Sequence, residues 1–162
     1  MFWWWFQMFS FSLQGLDQLL QTFNKMDDIV AEAIKKALIE NGFHLLSESI
    51  QEAPIETGNL RGSGIVVLED KVLAQGDGHG GISIKSRTYR QNNATSTVFS
   101  ITVGYNTVYA LKQHELQPKP GQTINYSDPN TKNKFLEDPL KANIQKYQRN
   151  VVTAIQDALR RL

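Results

Sequence analysis

Apolar residues recur three and four positions apart through residues 29–46. Ile29, Val30, Ala33, Ile34, Ala37, Leu38, Leu45 and Leu46 form one wide stripe, which predicts a long amphipathic helix. Asp27 and Asp28 fall in its first turn, where the helix dipole favours negative charge. Gly42 weakens its middle, and Pro54 with Gly58 ends it. A shorter helix is predicted upstream from Leu16, Leu19, Leu20 and Phe23. The period then changes. Residues 64–74 are rich in Ile, Val and Leu, residues 82–90 alternate weakly, and residues 97–103 read TVFSITV, with Phe99, Ile101 and Val103 sharing one face. These three stretches predict strands. GDGHGG at 76–81 reads as a flexible hairpin tip and QNNATS at 91–96 as a second turn, which together imply an antiparallel meander.

After Gly104 a short helix is predicted over 108–115, followed by a long polar loop over 116–134 that contains Pro118, Pro120, Gly121 and Pro129. Loops of that length are usually functional or ordered by a partner. The last helix is expected to begin near Asp138, with Pro139 suited to its first turn. It carries Leu140, Ile144, Tyr147, Val151, Ala154, Ile155, Ala158 and Leu162 on one face, and Arg160 and Arg161 oppose the dipole at its end. Helix, strands, helix in that order gives an α+β fold: an antiparallel sheet of three to five strands, one face of it packed by a long N-terminal helix and a C-terminal helix. Residues 15–162 are expected to form one domain, preceded by an arm at 1–14.

Composition sharpens this picture in three places. Lys and Arg total 17 against 16 Asp and Glu, a formal charge of +1, which argues against a protein built to grip a phosphate backbone. The chain has no cysteine, so disulfides, thiolate metal sites and cysteine nucleophiles are excluded. The opening MFWWWFQMFSF holds all three tryptophans, Trp3, Trp4 and Trp5, beside Phe2 and Phe6. It is about half the length of the roughly 20 residues a membrane-spanning helix needs, and it lacks the basic leader and small-residue cleavage site of a signal peptide. An apolar arm of this kind predicts an interface, covered on assembly; anchoring at a membrane surface is the alternative.

No catalytic constellation emerges. His44 reads as a residue of a helix surface or boundary, and His79 as a solvated loop residue. His114-Glu115 would begin a zinc-protease helix only with a second His at 118, where Pro118 stands. The glycines of 76–81 have no βαβ context for a dinucleotide site. Ser63 lacks the glycine spacing of a nucleophile elbow, because Arg61 occupies the position two residues before it. No cofactor, metal or small-molecule substrate is expected.

Four short stretches in order carry a family resemblance: Gly15-Leu16-Asp17-Gln18-Leu19; Ala53-Pro54-Ile55-Glu56-Thr57-Gly58-Asn59-Leu60-Arg61; Val103-Gly104 with Tyr109-Ala110 and His114-Glu115; and Phe135-Leu136 leading to Leu140. Together they resemble the neck and tail-completion proteins, also called head–tail joining or minor structural proteins, of long-tailed bacteriophages. The resemblance runs from about residue 15 to the C-terminus; the aromatic arm and a longer 76–81 tip depart from it. It implies a structural virion protein, assembled in the host cytoplasm into a homo-oligomeric ring, often sixfold, in the phage neck. Its partners would be the connector or stopper and the tail terminator or tube, with DNA passing through the lumen without sequence-specific binding. A tail terminator or minor capsid protein is the neighbouring alternative. Pro54, Thr57, Gly58, Leu60, Arg61, Tyr109, His114, Glu115, Phe135 and Leu136 are expected to build the fold, with Arg61 and His114 as the candidates among them for an additional contact to a neighbouring subunit. Phe2, Trp3, Trp4, Trp5 and Phe6, with the loop over 116–134, are further candidates for contacts between subunits.

Overall fold

The computed structural model describes residues 10–11, 28–55, 58–68, 70–87 and 100–161. The short helix expected over 16–23, Asp27, the turn at 91–96, Thr57 and the aromatic residues 2–6 lie outside the described residues. The described elements are β1 (Ser10–Phe11), α1 (Asp28–Glu52), α2 (Asn59–Gly62), β2 (Gly64–Leu68), β3 (Lys71–Gly76), β4 (Ile82–Ile84), β5 (Ile101–Tyr105), α3 (Ala110–His114) and α4 (Glu137–Leu159). The class is α+β, as expected, with two long helices and an antiparallel sheet.

The sheet runs β1-β5-β2-β3-β4, and every pairing is antiparallel. Two expectations change here. The apolar run over 64–74 is not one strand: it turns at Asp70, and β2 and β3 pair with each other. Nor is the sheet a simple meander, because β5 returns to pair with β2 instead of with β4. The reason lies in β2, where all five residues are buried, so the strand needs a partner on both edges. Within the described residues, the strand expected over 82–90 is confined to Ile82–Ile84, and the one expected over 97–103 occupies Ile101–Tyr105.

Registered pairs put Val66, Leu68, Ala74, Ile101, Val103 and Tyr105 on one face. α1 lies across that face, contributing Ile34, Leu38, Ile39, Leu46 and Ile50 to a single core. Gly42 marks the closest crossing: a Cβ there would sit 2.7 Å from Ile101 Cδ1 and 3.1 Å from Val66 Cγ1. The residue that weakens the helix in isolation is the one that lets it lie down on the sheet.

α4 runs antiparallel along α1, burying Tyr147, Val151, Ile155 and Ala158. Polar bonds fix the pairing. Asn41 Nδ2 donates to the Tyr147 carbonyl at 3.1 Å, and Asn150 Nδ2 donates to Asn41 Oδ1 at 2.7 Å. His44 is half-buried at this seam. Its Nε2 lies 2.9 Å from Lys146 Nζ, which can only donate, so Nδ1 carries the proton and donates to Tyr147 Oη at 2.9 Å. At the far end Lys132 Nζ bridges Glu52 and Asp138, both at 3.1 Å.

Because α1 is covered on both sides, its apolar residues should be costlier to truncate than those on the outer face of α4. Ile34 is fully buried and Val152 is 47% exposed. Ile34→Ala should lose about 3 kcal/mol, and Val152→Ala no more than about 0.5 kcal/mol, by urea denaturation. Equal losses would contradict the central placement of α1.

Candidate functional site: two motif clusters and an exposed apolar edge

The end of α1 leaves carbonyls that no helical N–H can reach. Arg61, buried in α2, supplies the donors. Its Nε donates to the Ala53 carbonyl at 2.8 Å, and an Nη donates to the Gln51 carbonyl and to Asp128 Oδ2, both at 3.2 Å. Pro54 and Leu60 are buried beside it, and Gly58 takes φ 74°, a left-handed turn that suits glycine. Asp128 is held below the usual carboxylate range, chiefly by the backbone N–H of Asn130 and then by Arg61, against the opposing effect of burial.

The 76–81 loop packs onto this turn. A Cβ on Gly76 would lie 1.8 Å from the Arg61 carbonyl oxygen, and one on Gly58 would lie 2.8 Å from that of Gly78. The loop expected to be a flexible tip is organised around one carboxylate. Asp77 Oδ1 accepts the backbone N–H groups of His79, Gly80 and Gly81 at 2.7, 3.1 and 2.9 Å, which depress the Asp77 pKa. His79 is exposed, as expected of a solvated residue.

The second cluster joins α3 to the start of α4. His114 is buried, with its ring edge-on to Phe135 at 5.0 Å; Phe135 meets Tyr105 in the same way at 5.0 Å. The Glu137 backbone N–H donates to His114 Nε2 at 3.3 Å, so the imidazole proton sits on Nδ1 and points to Glu115 Oε1, 2.8 Å away. Lys134, in a left-handed conformation (φ 55°), places Nζ 2.5 Å from Glu115 and 2.9 Å from Glu137. Lys141 also pairs with Glu137. These ammonium groups lower both carboxyl pKa values: Glu115 through Lys134 first and His114 second, Glu137 through Lys141 and then Lys134, down to about 2. Deeper in, Tyr105 Oη lies 2.7 Å from Ser49 Oγ, and burial raises its pKa.

His114, Glu115 and Glu137 each offer a ligand atom within 4.8 Å of the others. Donors of the protein already serve that set. Lys134 Nζ bridges the carboxylates, and the only lone pair on the ring faces a backbone N–H. The arrangement is a salt-bridged hinge between two helices.

The motif residues thus fall into two groups: Pro54, Gly58, Leu60 and Arg61 around the end of α1, and His114, Glu115, Phe135 and Leu136 around the start of α4. Tyr109 joins neither. It is 37% exposed beside Leu111 (37%) and Val108 (83%), an apolar edge where β5 leads into α3. The loop over 116–134 divides in two. Residues 117–123 are exposed, whereas Asp128, Thr131 and Lys132 are tied to the domain, with the Lys132 N–H on the Glu52 carbonyl at 3.0 Å. Sequence pattern alone assigns no role to Asp77, Asp128 or Lys134. Only Asp77 had a local signal, an Asp followed by glycines that fits an Asx turn.

Residues 17–111, more than half the chain, match the family model described as "Bacteriophage HK97-gp10, putative tail-component". The chain belongs to the HK97-gp10-like family. It is a phage tail component, in line with the resemblance to neck and tail-completion proteins. No curated protein and no solved structure matches the chain. The matched stretch spans α1, α2 and every strand from β2 to β5, so the Arg61 cluster lies within the HK97-gp10-like region except for Asp128. The His114 cluster and α4 extend beyond it.

Two outcomes follow from these clusters. Gly76→Ala should cost about 3 kcal/mol by forcing backbone apart. Gly121→Ala, whose Cβ meets nothing within 4 Å, should cost about 1 kcal/mol for its left-handed φ; similar denaturation midpoints for the two variants would contradict the loop packing. For Glu137 the sign is fixed by its lowered pKa. Its contribution to stability is complete above the usual value of 4.5 and fades as pH falls towards about 2. Wild type should therefore lose more melting temperature than Glu137→Gln between pH 5 and pH 2, and parallel losses would remove the carboxylate from the hinge.

Proposed function

We propose that this tail component is a non-catalytic ring subunit of the phage neck, which completes the tail and joins it to the head. Membership of a tail-component family supports a structural role in the virion. The resemblance of the 53–61, 103–115 and 135–140 motifs to neck and tail-completion proteins supports the finer assignment. The observation that carries it is how the polar motif residues are used. Arg61, His114, Glu115 and Lys134 are committed to carbonyls, to an aromatic ring and to each other, which suits a load-transmitting scaffold. The apolar edge at Val108, Tyr109 and Leu111 supplies surface for a neighbouring subunit. In a closed ring each subunit presents different faces to its two neighbours. The partners would be further copies of this chain and the adjoining connector, terminator or tube layers, around a lumen that passes DNA. No helix among the described residues is long and apolar enough to cross a membrane.

Electron microscopy of lysates from the parent phage with this gene disrupted tests the assignment. Full heads beside separate tails of normal length are expected. Overlong tails would identify a terminator instead, and infectious particles would overturn the neck assignment.

A further inference from the structure

A groove of about 1120 Å³ runs between the first half of α1 and the last half of α4. Ile29, Ala33 and Ala37 line one wall and Ala154 and Ala158 the other, with Arg87 at its end. Two pairs of alanines four residues apart hold the helix surfaces back, and Ile29 stands 46% exposed at the rim. Arg87 follows β4, so the groove opens at the β4 edge of the sheet.

The opposite edge is β1, where Ser10 and Phe11 pair with Thr102 and Ile101. Immediately before β1 stands FWWWFQMF, residues 2–9, with six aromatic rings and no charged side chain. We propose that this aromatic segment of one copy docks in the α1/α4 groove of the next copy, head to tail. The inference rests on the ring reading above and names the contact that would close it.

Reach leaves a copy's own groove to the outermost rings alone, those of Phe2, Trp3 and Trp4. Four strand spacings of about 4.8 Å separate β1 from β4, roughly 19 Å. Trp5 lies five residues from Ser10, at most about 18 Å of extended chain, with the helix layer still to cross. A neighbour set against the β1 edge brings its groove within that span. The sizes agree too. Three docked rings bury roughly 450–750 Å², close to the roughly 800 Å² per partner of a standard stable interface. Lys36 and Arg161 border the groove and offer cations to tryptophan faces.

All three tryptophans are in the segment, so tryptophan emission of the full chain, excited selectively over the five tyrosines, reports on it alone. Light scattering and emission should change together: as concentration rises, mass increases and the emission shifts to the blue. Ile29→Asp, at the exposed rim, should keep the wild-type melting temperature, stay monomeric and emit as exposed tryptophan. A chain lacking residues 2–9 should also be monomeric. Mixing the two should restore one contact only, giving a one-to-one dimer, because one partner keeps the arm and the other the groove. Rings forming with red-shifted tryptophan would overturn the docking and leave the ring standing. A monomer at the highest soluble concentration would overturn both. Blue-shifted emission from a dilute monomer would mean the segment folds back on its own chain, and a shift produced only by phosphatidylcholine vesicles would mean a membrane occupant; either result overturns the proposal.

Discussion

The Arg61 guanidinium is the constraint on which the rest of the structure depends. A long helix ending inside a small domain leaves carbonyls that must be satisfied locally, and a buried cation needs partners that it does not have to share with water. Each solves the other's problem. The two carbonyls at the end of α1 and the carboxylate of Asp128 take the donors of one side chain, so the helix end, the turn into β2 and the far loop are set at one point. Gly58 and Gly76 exist in this arrangement to let backbone approach backbone, since a Cβ at either would meet a carbonyl oxygen.

The two long helices and the fold class were legible because helical periodicity needs nothing outside the element. The stripe from Ile29 to Leu46 and the face from Leu140 to Ala158 each state their own partner surface. Sheet order was not legible. Whether β5 pairs with β4 or returns to β2 is decided by the need to cover both edges of a strand that is buried throughout, a requirement visible only once the layers are stacked. Division of the 64–74 run was missed because the turn at Asp70 contains neither Gly nor Pro to announce it.

The candidate sites divide along the same line. Motif spacing drew attention to Arg61 and His114, since each stands beside residues with evident structural tasks. Asp128, which pairs with Arg61, lies 67 residues farther on, and Lys134, which pairs with Glu115 beside His114, lies 19 residues beyond that carboxylate; nothing in a polar loop marks which aspartate or lysine will be used. The 76–81 loop shows how composition misleads: several glycines read as slackness, whereas here they are demanded by close packing and by the three N–H groups gathered on Asp77.

The pairing of the first long helix with the last has a consequence for how the chain comes into being. Asn41 waits for Tyr147, which is 106 residues away, and the apolar side of α1 that α4 covers stays open until then. A ribosome makes the sheet-forming residues well before α4, so the core cannot close until α4 has been made. Completion is therefore tied to the arrival of α4: a fragment ending before it exposes an uncovered apolar helix, the kind of surface that aggregates.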